Sequence, residues 1–364
     1  MRHLLPLSGW VAAPFLITAF LAGCSELRFY GQAAAGQAGI LLARRPIAAV
    51  QDDPATPPEL RTRLAALEAL REFAGRELLL PVGSAYRDFA ALKRPYALWN
   101  VFAAPEFSLS PKTWCYPLIG CAAYRGYFSP GGAQAEAERL RRRGYDVLVA
   151  GVLAYSTLGW FDDPVLSTWA SLEEERLAAL LFHELAHRLL YVAGDTSFNE
   201  GFATAVEEEG LRRWAASTGR PGALAAWERR RAVNDRFLGL VARRRAELER
   251  LYASPLPAEE KRAAKAAVFA RLLRDLEEEE EGGEPAFAAH RAGLSAAGAN
   301  NAALVPLAAY HDRVPAFRRL LAETGFDLGR FYDACRRLAA LSPAERGEAL
   351  ERLAAQAPPP AGGP

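Results

Sequence analysis

The sequence predicts an α+β protein that is mainly helical, with a small N-terminal sheet region and a helical C-terminal half. Three observations carry this. Strand-like runs rich in β-branched and aromatic residues cluster early: YALWNVFAA near 96–104, CAAYRGYFS near 121–129 and YDVLVAGVLAYST near 145–157. Beyond them, apolar residues recur at helical spacing through 171–194, 200–219, 222–253, 258–281, 300–321 and 326–340. A chain of 364 residues, 51% hydrophobic and 24% charged, suffices for one large core or two modest ones. Its 44 basic and 43 acidic residues leave a formal charge of +1, which gives no electrostatic footprint for nucleic acid.

Taken in order, the chain opens with MRHLLPLSGWVAAPFLITAFLAGC. Arg2 and His3 precede an apolar run that ends in small residues. The run is too short and wrongly flanked for a stable membrane span, and residues 1–23 read as a secretory signal. Leu21-Ala22-Gly23-Cys24 matches the bacterial lipobox, in which the cysteine is lipidated and becomes the new N-terminus. Ser25, in place of Asp, resembles an outer-membrane address of Gram-negative bacteria. Acyl chains on Cys24 would hold a water-soluble domain at a membrane surface in the periplasm.

Residues 24–58, rich in Gly and Ala, read as a tether leading into the fold. Leucines at helical spacing predict a helix over 59–78, and 59–166 is expected to form the helix-plus-sheet region. Gly144 should stop the helix AQAEAERLRRR that separates the last two strands. In an oxidising compartment Cys115 and Cys121, in WCYPLIGC, suit a small disulfide loop; two buried thiols on a strand pair are the alternative. Cys335 is left for the core. Residues 167–345 form the helical region, EEEEEGGEP at 277–285 being a solvated helix end. Residues 346–364 read as the C-terminal end and a disordered tail, APPPAGGP.

Two of only five histidines fall in HELAH, residues 183–187. On a helix, positions i and i+4 share a face, so His183 and His187 direct two imidazoles at one point, as Zn²⁺ requires. Glu184 lies beside that point without binding, where its carboxylate can take a proton from water. A usable site needs a third protein ligand. Gly194 and Asp195 can break the helix, Ser197 or Asn199 can cap a second one, and Glu200 would then return towards the histidines. Small Gly201 and Ala203 would let the two helices pack closely. Glu207, two turns further on, is the alternative ligand, whereas Glu208 and Glu209 read as surface charges.

HELAH followed by NEGFA resembles the glutamate-zincin metallopeptidases. Together with WCYPLIGCAAYRGYFS, AYSTLGWFDDP and NNAALVPLAAYHDRVPAFRRL, the set resembles the bacterial predicted aminopeptidases that are exported lipoproteins. The resemblance spans about 95–335 and implies a zincin-like fold with one Zn²⁺ on His183, His187 and Glu200. It implies peptide hydrolysis by zinc-bound water, with Glu184 as proton acceptor and donor. Tyr310 is the first candidate for oxyanion stabiliser and Tyr155 the second; each is equally a packed aromatic. His311 is a further donor candidate, while His290 reads as structural. Asp195 either orients a zinc-binding imidazole or serves the turn. GVLAYSTLG is either an edge strand for the substrate backbone or a plain core strand. Glu106, Asp162 and Asp163 are positional candidates for holding a substrate α-amino group. A zinc endopeptidase or cell-wall amidase, and a scaffold with structural zinc, stand as alternatives. Against the scaffold, no cysteine lies near HELAH and a structural site has no use for Glu184.

Overall fold

The computed structural model describes residues 12–116, 120–157, 161–169, 172–309 and 313–356. Where a tether was expected there is regular structure. Helix α1 (Ala12–Leu42) leads into β1 (Arg44–Pro46) and α2 (Ile47–Gln51). Phe29 and Ile40 are buried. Arg125 lies 3.7 Å above the Phe29 ring and pairs with Glu26 at 2.6 Å. The reason is compositional: an Ala- and Gly-rich segment with a few well-spaced apolar residues can pack closely, whatever its lack of charge.

The predicted helix is α3 (Pro58–Glu77), burying Leu64, Leu67 and Leu70 at three-residue spacing. Next come β2 (Asp88–Ala90), β3 (Leu98–Pro105), β4 (Trp114–Tyr116), β5 (Gly120–Ala122), β6 (Tyr124–Tyr127), α4 (Pro130–Arg141), β7 (Tyr145–Val152) and β8 (Val165–Leu166). Strand β3 lies between antiparallel β6 and β7, with Asn100 opposite both Gly126 and Ala150. Side chains alternate across it. Val101 and Ala103 pack with Ala133, Ala137 and Leu140 of α4, while Phe102 and Ala104 join Val305 on the other face. A second sheet has the order β1-β2-β8. Strands β4 and β5 form a hairpin closed by the Cys115–Cys121 disulfide. The expected strand over 145–157 ends at Val152; Thr157 is bound instead to the Asp163 carboxylate, through its amide at 2.9 Å and its hydroxyl at 2.8 Å.

The second half is helical as expected: α5 (Glu174–Leu189), α6 (Thr196–Ser217), α7 (Pro221–Ala253), α8 (Ala258–Glu281), α9 (Ala286–Ala296), α10 (Asn301–Ala309), α11 (Val314–Glu323), α12 (Leu328–Ala339) and α13 (Pro343–Ala354). Helices α3, α5, α6, α11 and α12 share the largest core, which includes buried Cys335, and α7–α10 share a second one. Helix α13 runs into the C-terminal end and stops before the stretch expected as a disordered tail. Its signals are in the sequence: Ser342 and Glu345 form a capping box and Pro343 opens the first turn. Residues 357–364 lie outside the described residues. Among the described residues, no helix is long and apolar enough to cross a membrane.

Phe317 of α11 is fully buried against Phe198 and Phe202 of α6, with ring centroids 5.1 and 6.1 Å away. Phe317→Ala should lower unfolding stability by about 3–5 kcal/mol, read as a fall in the urea midpoint.

Candidate metal centre

Helix α5 carries Glu174 and Glu175 in its first turn, where carboxylates suit the positive end of the dipole. It buries Leu177, Leu181, Phe182 and Leu185 on one side. His183 and His187 then sit one turn apart, their ring planes crossed at 84° with centroids 4.8 Å apart.

The return of the chain is built by residues whose parts the sequence only hinted at. Gly194 takes a positive φ of 81°, ending the link between α5 and α6. Asp195 caps α6 by accepting from the Phe198 amide at 3.0 Å, so the cap is neither Ser197 nor Asn199. The Asn199 side chain accepts from the Val192 amide at 2.7 Å and donates to the Val192 carbonyl at 2.9 Å. That double clasp fixes where Glu200 begins. The disulfide hairpin rests on the turn: a Cβ on Gly120 would stand 2.8 Å from the Gly194 nitrogen.

Glu200 thereby reaches both histidines. Its Oε2 is 3.2 Å from His183 Nε2 and its Oε1 3.7 Å from His187 Nε2, while the two Nε2 atoms are 3.2 Å apart. Ligand atoms held tetrahedrally at about 2.0–2.1 Å from one ion lie roughly 3.3 Å from one another. The trio fits a zinc-sized cation. Among the described residues it is the cluster of ligand-bearing side chains able to hold a metal.

Glu207 stands outside the trio. Its Oε2 lies 3.0 Å from His183 Nδ1, on the far side of the ring. An Nδ1–H donated there leaves Nε2 bare and fixes the ring's orientation. Asp195, expected as a possible orienting group, is committed to the helix cap and to Arg346, 2.8 Å away. The orienting role falls to Glu207. His187 Nδ1 is buried with no hydrogen-bond partner. Gly201 also departs from expectation: its close approach is to Phe317 and Arg313, whereas Gly210 is the glycine that packs on Phe182 of α5.

Glu184, Glu200 and Asp163 are all buried, with Glu207 half-buried beside them. Burial pushes the Glu184 carboxyl up to about 7; His183 opposes this, while Glu200, Asp163 and Glu207 add to it. Burial opposes protonation of His183, but its bonds to Glu200 and Glu207 win and hold it well above its ordinary value. Burial takes His187 down to about 4. So much desolvated negative charge calls for a compensating cation.

Among the remaining candidates, the hydroxyl of Tyr155 is bound to Gln37, and its ring packs edge-on against Phe128. Tyr310 and His311 lie outside the described residues. His290 stacks on Phe237, away from the histidine pair. Glu106 is paired with Arg262, Asp162 accepts from Ser84 at 2.5 Å, and Asp163 is held by Thr157. Tyr124 of β6 was missed. Its phenol is desolvated and lies within electrostatic reach of Glu200, Tyr191 and Glu184, which raise it further. Period-two alternation in AAYRGY, which sets Tyr124 opposite Arg125 and Tyr127, was the available signal.

A histidine pair on one helix and a glutamate on the next thus give a mainly helical α+β protein a trio of side chains placed so that they could hold a metal ion. The chain belongs to the family described as "Putative aminopeptidase", which matches residues 28–350. No curated protein and no solved structure matches it.

Glu207→Gln should leave the helical signal intact and weaken metal retention by about 10–100-fold, measured by competition with a chelator.

Proposed function

We propose that this chain is a zinc-dependent aminopeptidase, exported and held at the bacterial envelope by lipid on Cys24. The observation that carries the reading is the spacing of His183, His187 and Glu200, with Glu184 buried beside them. Two imidazoles and one carboxylate suit Zn²⁺ and leave one position open to solvent or substrate. The ion, when bound, supplies Lewis acidity for a carbonyl and a readily ionised water.

The side chains do the rest. Glu184 takes the proton of the attacking water and delivers it to the leaving amine. Glu207 holds His183 in register throughout. Tyr124, within electrostatic reach of Glu184 and Glu200, donates to the oxygen on which negative charge develops. Strand β7 has β3 on one side and no strand on the other among the described residues. That open edge suits pairing with an extended peptide. Family membership, rather than an amine-binding carboxylate, supports the choice of exopeptidase.

The test is a panel of free-amino and N-blocked peptide reporters, with and without chelator. Free-amino substrates should be cleaved, chelator should abolish turnover, and Zn²⁺ should restore it. Glu184→Gln should keep its metal and lose about 10²–10⁴-fold in kcat. Cleavage of blocked peptides alone would overturn the exopeptidase reading, and full activity in Glu184→Gln would remove that residue from the mechanism. Cys24→Ser should move the protein from the membrane to the soluble fraction; retention on membranes would show that something else anchors it.

A further inference from the structure

Helix α1 is built inside out. Between Phe29 and Ala43 its polar side chains are Gln32 and Gln37, and both point into the protein. Gln32 donates to the Gly126 carbonyl at 3.3 Å and accepts from the Phe128 amide at 3.0 Å, while Gln37 binds the Tyr155 hydroxyl. The outward face carries Leu27, Tyr30, Gly31, Ala34, Ala38 and Leu42. Leu27 is 75% exposed and Leu42 87%. A surface helix ordinarily shows the reverse arrangement, and an uncharged exposed face marks an interaction surface.

The position of this face in the chain names its occupant. Cys24 lies two residues before Glu26, which is fixed to Arg125, itself 3% exposed and seated on Phe29. Ser25 alone separates them, and one residue spans at most about 3.6 Å. An acyl group on Cys24 therefore has no slack. It brings the membrane surface to the turn of α1 around Glu26, with exposed Arg28 beside it to meet anionic headgroups.

We propose that the outward face of α1 lies on the lipid bilayer, so that the domain is clamped flat against the membrane instead of swinging on a tether. The proposal rests on the reading of Cys24 as lipidated. It is independent of the metal centre. The helix lies on the surface and does not cross it.

The test uses the full lipidated protein in vesicles of phosphatidylethanolamine and phosphatidylglycerol. Nitroxides are placed through Gly31→Cys, Ala34→Cys and Ala38→Cys, one at a time, with Arg352→Cys on exposed α13 as the control. A Cβ on Gly31 meets nothing within 4 Å, so that label disturbs no packing. On reconstitution the α1 labels should lose collisions with an aqueous nickel complex severalfold and gain collisions with oxygen, while the control does not change. Acylated, vesicle-bound protein whose α1 labels stay nickel-accessible would overturn the proposal and leave the anchor intact. Spin–spin coupling between α1 labels of two molecules in place of lipid contact would also overturn it, assigning the face to a second copy. Absence of the acyl mass on Cys24, with the labels still aqueous, would remove the anchor and the proposal together.

Discussion

Buried negative charge is the constraint around which this protein is arranged. Glu184, Glu200 and Asp163 are sunk into the protein with Glu207 at their edge, next to two imidazoles. Such a group of carboxylates is tolerable only with a cation at its centre or with protons taken up. The same chemistry that makes the site costly would make it useful, because a metal held by His183, His187 and Glu200 would have the ionisable Glu184 carboxylate beside it.

The scaffold answers by over-determining one turn. Helices α5 and α6 pack in close contact, and Glu200 is aimed by groups outside the trio. Asn199 clasps Val192, Asp195 caps α6, and Arg346 reaches from α13 to hold Asp195 while donating to the Leu341 carbonyl at 2.8 Å. Arg346 is 4% exposed while the Asp195 side chain stays 28% exposed, so water competes from the aspartate side only. On the other side the disulfide hairpin meets Gly194. The cross-link is thus spent on the segment whose displacement would separate His183, His187 and Glu200.

The sheet region closes the site from a second direction. Strand β6 supplies Tyr124 to the metal side and, one residue on, Arg125 to the clamp on α1. Two adjacent residues of β6 therefore connect the candidate catalytic surface to the N-terminal helix. A cavity of about 720 Å³ is lined by Leu109, Ala123, Tyr252 and the first residues of α6, and by none of His183, His187 and Glu200. It lies behind the turn, and its shape does not define the cleft.

The sequence by itself determined the helical second half, the main strands of the first and the shared helix face of the two HELAH histidines, and it left Cys115 and Cys121 open between a disulfide and two thiols. Each is local: helical period, strand alternation and an i, i+4 pair are written within a few residues of one another. It could place Glu200 and Glu207 on one face of one helix, but not say which side of His183 each would occupy. That depends on the angle between α5 and α6, set by side chains as distant as Arg346 and Phe317. The same limit explains α1 and Asp195. A segment of Ala, Gly and Gln has no face of its own until β6 offers Arg125 and the Gly126 carbonyl, and an aspartate at a helix start orients whatever the fold brings to it. Tertiary packing decided these because it alone chooses among partners that local sequence leaves equally available.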